Sequence, residues 1–240
     1  MDLVIFDLDH TLLPFDCEWG WINYVAGKAG LNPREAFAPL KPLYCEYYEK
    51  HTLDADAFSR FQMQFIAKFP RRKLDAWRED FVCEKVAPHV SEKALSLVKS
   101  HKDKGDRTAI CSGTYAYLVH PIAEFFGIDA VLCAKPAMDS AGEFLGRLEG
   151  PNSFASNKVL FVREYLQECG ISFKKMYFYS DSLNDKPLFD YVDATGGVCV
   201  ATNPDDALLA LAQLRGWKTL WLYGKEENSR ANAIREVLGI

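Results

Sequence analysis

The chain opens MDLVIFDLDHTLL, so that a run of four apolar residues, Leu3-Val4-Ile5-Phe6, passes directly into Asp7 and, two positions later, Asp9. A short run that is apolar at every position reads as a buried strand. Two carboxylates that close repel each other, and burial makes each charge more costly. The fold must therefore end this strand where a metal ion, a lysine or water offsets the charge.

Further runs of the same kind recur: Thr108–Cys111, Ala130–Cys133, Met176–Tyr179, Val198–Ala201 and Thr219–Tyr223. Helical patterns separate them, among them Ser91–Lys104, Asn157–Cys169 and Asp205–Leu214. Strand–helix alternation predicts an α/β fold, a Rossmann-like, mostly parallel sheet with helices on both faces. Ligands then bind beyond the carboxyl ends of the strands, where Asp7 and Asp9 lie. One region breaks the alternation. Between Phe15 and Pro88 there is no convincing strand but four aromatic-rich helical stretches, Glu18–Gly27, Pro33–Glu49, Asp54–Lys68 and Leu74–Lys85. This predicts a helical cap over 15–88, inserted into a core made of 1–14 and 89–240. Met138–Leu148 reads as a hairpin.

Composition narrows the function classes. At 240 residues the chain can hold one large domain with a smaller second unit. A net charge of -5 argues against general nucleic-acid binding, which needs a basic face. No apolar run is long enough to span a bilayer, and the opening strand meets Asp7 too soon for a signal peptide. The seven cysteines are scattered without a Cys-x-x-Cys pair, which predicts reduced thiols in a cytoplasmic protein. No nucleic-acid or membrane partner is expected, and the chain is read as a monomer or homodimer.

Four places carry chemistry. In Asp7-Leu8-Asp9-His10-Thr11 one carboxylate can attack phosphorus and the second can move a proton; the alternative is a polar turn. In Ser112-Gly113-Thr114 a hydroxyl and amides at a strand-to-helix turn form an anion site, or a helix cap. Lys158 falls in the first turn of a helix, with Ser156 as its expected cap. A cation there opposes the helix dipole and suggests an anionic partner; the alternative is a solvated surface lysine. In Asp181-Ser182-Leu183-Asn184-Asp185 oxygen ligands suited to Mg²⁺ follow another strand; the alternative is an acidic helix start.

Their joint order, Asp-x-Asp-x-Thr at 7–11, Ser112, Lys158 and Asp-Ser-x-Asn-Asp at 181–185, resembles the haloacid dehalogenase-like hydrolase superfamily over nearly the whole chain. Within it, the inserted helices resemble a type 1 cap, and the chain is most similar to the phosphoserine-phosphatase-like branch, subfamily IB. The resemblance implies a phosphatase acting on a small phosphomonoester such as phosphoserine or histidinol phosphate. Asp7 would be the nucleophile that becomes an aspartyl-phosphate, and Asp9 the general acid and then base. Ser112, Gly113 and Lys158 would bind the phosphoryl group. Mg²⁺ would be held by Asp7, the Asp9 main-chain carbonyl and Asp181, with Asp185 in support. A phosphotransferase or phosphomutase on the same site, or a non-catalytic phosphate-binding regulatory module, are the rival readings.

The chain departs from that branch at two positions. His10 stands where the branch usually has Ser. Asp16, with Glu18 close by, stands where a cap Glu binds the substrate amine. Asp16 and Glu18 can serve an amine or simply cap the helix that follows. Arg34, Arg60, Arg71, Arg72 and Arg78 are all available for a substrate carboxylate. Trp19, Trp21, Tyr24, Tyr44, Tyr47 and Tyr48 can line a pocket or fill the cap interior. His51, His89, His101 and His120 lack metal-ligand spacing, and Glu226–Ile240 reads as an amphipathic helix.

Overall fold

The computed structural model describes residues 1–50, 53–224 and 232–239. His51 and the first part of the predicted C-terminal helix lie outside them, as does the side chain of Tyr48. The chain runs β1 (Leu3–Phe6), α1 (Cys17–Lys28), α2 (Pro33–Ala36), α3 (Lys41–Lys50), α4 (Ala55–Ile66), α5 (Arg71–Phe81), α6 (Glu92–Lys102), β2 (Arg107–Ile110) and α7 (Ala116–Phe126). It continues through β3 (Ala130–Val131), β4 (Pro136–Met138), β5 (Phe144–Leu148), α8 (Asn157–Cys169), β6 (Met176–Ser180), α9 (Lys186–Ala194), β7 (Val198–Thr202), α10 (Asp206–Arg215), β8 (Lys218–Leu220) and α11 (Asn232–Leu238).

Six strands form one sheet in the order β3-β2-β1-β6-β7-β8, and every neighbouring pair is parallel. The chain winds outward from β1 in one direction, then returns to wind outward in the other. This reversal beside β1 opens a crevice at its carboxyl end. Register then decides what meets there. Phe6 lies level with Ile110 of β2 and with Tyr179 of β6. Asp7, one step further, donates its N–H to Tyr179 O (2.9 Å), while Cys111 N–H donates to Phe6 O (2.8 Å). Ser112 and Asp181 therefore emerge on either side of Asp7.

The apolar residues of β1 divide between two cores. Val4 and Phe6 face the layer that holds Val98, Leu118 and Ile122; Leu3 and Ile5 face Val162, Leu188, Val192 and Leu208. A strand buried on both faces can be apolar at every position, which is why β1 shows no alternation. The layer under Val4 and Phe6 continues into the inserted helices through Leu8, Leu12, Trp21 and Phe65, all fully buried.

Three expectations need correction. Pro33–Glu49 is not one helix: a short turn at Ala38–Leu40 separates α2 from α3, because Pro39 lacks the N–H that would continue the ladder. The last helix before the core begins at Arg71, directly after Pro70, and gives way at Phe81 to a widened turn over Val82–Val86. Thr219–Tyr223 is a strand only as far as Leu220; Leu222 and Tyr223 turn back under the sheet and are buried. The hairpin does form, from β4 and β5. The seven cysteines are all free, and among the described residues no helix is long and apolar enough to cross a membrane.

Gly197 precedes β7 where two backbones pass closely. A Cβ there would lie 2.5 Å from Val192 Cγ1 and 2.7 Å from Met176 O. A main-chain oxygen inside a sheet cannot move aside. Gly197→Ala is therefore expected to cost about 2–3 kcal/mol and to lower Tm by several degrees in a calorimetric scan. An unchanged Tm would show that the α9–β7 connection can shift.

Candidate active site

Asp7, Asp9, Ser112, Gly113, Lys158, Asp181 and Asp185 line one cavity of about 370 Å³ at the carboxyl end of the sheet. Asp7, Ser112, Lys158, Asp181 and Asp185 are nearly or wholly buried. Lys158 is not a solvated surface residue. Its Nζ donates to Asp7 Oδ1 at 2.7 Å and to Asp185 Oδ2 at 2.6 Å. Burial opposes the lysine charge, but Asp185 and then Asp7 outweigh that and hold it protonated. Asp185 is further fixed by Ser180 Oγ at 2.7 Å, and burial still raises its pKa. Ser156 does not cap α8: it has helical backbone angles and makes no side-chain cap bond. The chain enters α8 through Ala155, whose φ is +49°, and this turn delivers Lys158 inward.

Thr11 ties the two strand ends together. Its fully buried hydroxyl lies 3.0 Å from Asp7 Oδ2 and 3.2 Å from Asp181 Oδ1. One hydroxyl carries one proton, so two carboxylates converge on a single donor. Such a pair, with the Asp9 main-chain carbonyl nearby in sequence, is a set of hard oxygen donors of the kind Mg²⁺ prefers. Among the described residues no three His, Cys, Asp or Glu side chains converge as a metal cage. The expected set does not require one, since it has two carboxylates and a carbonyl.

Asp9 has different surroundings. The loop leaves helical geometry at Asp9 and His10, and His10 adopts φ +59°. The Asp9 carboxylate accepts from Cys17 N (2.7 Å) and Thr114 Oγ1 (2.7 Å). The protein closing round it raises its pKa to about 7, with Asp16 adding to the effect and the two hydrogen bonds opposing it. Asp7 and Asp9 are thus two positions apart in sequence but differently partnered, one to a lysine and one to neutral donors. Ser112 Oγ accepts from Thr114 N at 3.1 Å, and Ser112 O accepts from Ser153 Oγ at 2.6 Å, which fixes the strand-to-helix turn. Gly113 is packed closely: a Cβ there would lie 3.2 Å from Phe154.

The inserted helices supply the facing wall. Asp16 caps α1 by accepting from Trp19 N at 2.8 Å, and it also lines the cavity. Glu18 lines the same cavity, and burial pushes its pKa well up. Tyr44, Tyr47 and Phe58 form an aromatic side. Trp19, Trp21 and Tyr24 do not reach the cavity; Trp19 packs on Phe37 and Tyr44, and Trp21 on Phe81. Among the described residues none of the five arginines lines the cavity; Arg71 and Arg78 stack on Tyr117 instead. His101 is buried between Asp106 Oδ2 (3.0 Å) and the Tyr179 hydroxyl (2.9 Å).

Two residues that the sequence reading did not assign to the site hold the Asp7–Leu12 loop. Asn203 donates to the carbonyls of His10 and Thr11, and the Tyr223 hydroxyl donates to that of Leu12. Asn203 belongs to Ala-Thr-Asn-Pro at the end of β7, and a polar residue at a strand end on the active edge was the available signal.

A family model described as haloacid dehalogenase-like hydrolase matches residues 4–190. A histidinol-phosphatase of Neisseria meningitidis is 33% identical over 222 residues, covering 91% of this chain and 98% of that protein. A phosphoserine phosphatase of Mycobacterium tuberculosis is 31% identical over 215 residues, 89% of this chain and 68% of that one. The crystal structure of a protein of unknown function from Bordetella pertussis Tohama I superposes with a TM-score of 0.84 at 34% identity, covering 92% of this chain and 99% of that one.

The Lys158 contacts can be tested by unfolding. Lys158→Met leaves two buried carboxylates without their cation and is expected to cost about 3–5 kcal/mol near pH 7.5 in urea denaturation. The deficit should shrink as pH falls. Burial already raises the Asp185 pKa, and losing the lysine raises it further, so the folded variant binds a proton that the unfolded chain does not. A deficit that does not change with pH would contradict the charge argument.

Proposed function

The chain belongs to the haloacid dehalogenase-like hydrolases and is a phosphatase of that family, and from this premise we propose that it cleaves a small, amine-bearing phosphomonoester through an aspartyl-phosphate on Asp7. The observation that carries the reading is the contrast between two neighbouring acids. Asp7 sits beside a protonated lysine, and Asp9 lies among neutral donors with a pKa near 7.

An Asp7 carboxylate oxygen attacks phosphorus as the bond from phosphorus to the leaving oxygen breaks. Asp9, in its acid form, gives its proton to that oxygen, and the alcohol departs. The Asp9 carboxylate then takes a proton from water as the water oxygen attacks phosphorus. The phosphorus–Asp7 bond breaks, and inorganic phosphate leaves. A carboxyl near pH 7 suits both directions of transfer. Lys158, Ser112 and Gly113 would meet the phosphoryl oxygens and stabilise their charge. Asp7, Asp181 and the Asp9 carbonyl would hold Mg²⁺, with Asp185 in support through Lys158. When bound, the ion offsets negative charge on the phosphoryl oxygens. We read 15–88 as a cap over a core of 1–14 and 89–240, because the cavity takes its floor from one and its facing wall from the other. Closing that wall keeps water out until the alcohol has left.

Asp16 and Glu18 favour a cationic group on the substrate, and Tyr44, Tyr47 and Phe58 favour a flat one. Histidinol phosphate, named in the Neisseria relative, joins both features and is our first candidate; phosphoserine is the second. A phosphate-release screen over small metabolite phosphates with Mg²⁺ is expected to rank histidinol phosphate highest. Asp7→Asn should abolish release from every substrate, and retained activity in that variant would sink the mechanism.

Asp9→Asn is expected to slow turnover by about 10²–10⁴-fold. Calorimetric Mg²⁺ binding should persist, since Asp9 is expected to coordinate through its main chain. For the natural chain, kcat/KM on an alkyl phosphate should fall as pH rises through about 7, as the acid form of Asp9 is lost. That limb should vanish in the variant; lost Mg²⁺ binding with unchanged turnover per bound metal would contradict the assignment.

A further inference from the structure

The Asp7–Leu12 loop is held from behind by a polar contact that the chemistry above leaves unused. Asn203 directly follows β7. Its side-chain nitrogen donates to His10 O at 2.9 Å and to Thr11 O at 3.0 Å. Its side-chain oxygen accepts from Leu222 N at 2.7 Å and Tyr223 N at 3.3 Å. Its own N–H donates to Leu220 O at 2.8 Å. The residue is 1% exposed and sits at φ +46°, a left-handed conformation that asparagine tolerates better than most residues. The Tyr223 hydroxyl donates to Leu12 O and accepts from Ser91 N at 3.3 Å.

Three consecutive carbonyls, those of His10, Thr11 and Leu12, thus receive donors from two side chains 192 to 211 residues away. The loop needs them. At Asp9 and His10 its backbone is not helical, so a regular ladder cannot satisfy these carbonyls. Rotation of the His10 or Thr11 peptide would move the Asp9 carboxyl, one bond path away on one side, and the Thr11 hydroxyl that bridges Asp7 and Asp181 on the other.

We infer that Asn203 is a positioning residue for the phosphatase reaction: through the His10 and Thr11 carbonyls, and together with Tyr223, it sets the direction of the Asp9 carboxyl. The inference rests on the reading of Asp9 as the general acid. It predicts that loosening the clamp costs most where a proton must reach the leaving oxygen. An alkyl phosphate needs that proton, whereas para-nitrophenyl phosphate, with its stable leaving anion, does not.

Asn203→Asp weakens the contact. It is nearly isosteric, tolerates the same backbone angles and keeps the acceptor for Leu222 and Tyr223, but in place of two N–H donors it offers the two carbonyls an oxyanion or, when protonated, a single O–H. With folding checked by circular dichroism and Tm, kcat on an alkyl phosphate is expected to fall by about 100-fold, and on para-nitrophenyl phosphate by less than about 10-fold. KM should stay within about 3-fold on both. Tyr223→Phe should show the same divergence more weakly, and the double variant should lose less than the product of the single losses, since both act on one loop. Asp9→Asn run in parallel supplies the reference divergence. A folded Asn203→Asp with equal losses on both substrates, or with none, overturns the positioning role while the Asp9 divergence stands. An Asp9→Asn without divergence overturns the acid assignment and the inference with it. Should Asn203→Asp not fold, Tyr223→Phe decides: divergence supports the clamp and its absence overturns it.

Discussion

Lys158 between Asp7 and Asp185 is the contact on which the active end of the sheet depends. Three buried acids, Asp7, Asp181 and Asp185, meet there, and an uncompensated cluster of that kind would protonate or unfold the sheet edge. The lysine comes from the first turn of α8, where the helix dipole disfavours a cation. Its two ion pairs, at 2.7 and 2.6 Å, outweigh both that dipole and its own burial. Ser180 and Thr11 then occupy remaining acceptor positions on Asp185 and Asp7, so the charged groups are hydrogen-bonded as well as paired.

With the charge settled on one side, the two acids of the first loop can differ. Asp7 is held by a cation and a hydroxyl, while Asp9 accepts from the neutral donors Cys17 N and Thr114 Oγ1. A pair of carboxylates in equivalent surroundings would share one titration and one role. Separate surroundings allow the division of labour proposed for them, attack by one and proton movement by the other. The facing wall is built differently, from aromatic rings and two acids on the inserted helices.

Much of this was legible in the sequence. The strands of the central sheet were readable because a strand buried on both faces carries an unbroken apolar run, as in Leu3–Phe6 and Met176–Tyr179. Asp7, Ser112, Lys158 and Asp181 were readable because a parallel sheet presents all its strand ends and helix starts at one edge. The inserted helices are legible as helical, but the sequence reading takes Pro33–Glu49 as one stretch where the structure breaks it at Ala38–Leu40. Ser156 was expected to cap α8, but Ala155 makes the turn instead. Of the six aromatic residues considered for the pocket, burial against Phe37 and Phe81 removed Trp19 and Trp21, a matter of packing that no local pattern encodes.

By itself the sequence determined the layered α/β architecture and the edge where its strand-end acids lie, which follow from local periodicity and chain order, while Ser112 and Lys158 were singled out by the resemblance of the joint motif order to a known family. Tertiary structure alone decided the partners. Lys158 reaches Asp7 across 151 positions, Thr11 reaches Asp181 across 170, and Tyr223 reaches Leu12 across 211. Such contacts leave no periodic trace. They arise when the register of β1 against β2 and β6, and the backward turn after β8, bring distant polar groups into a space where each must find a hydrogen bond.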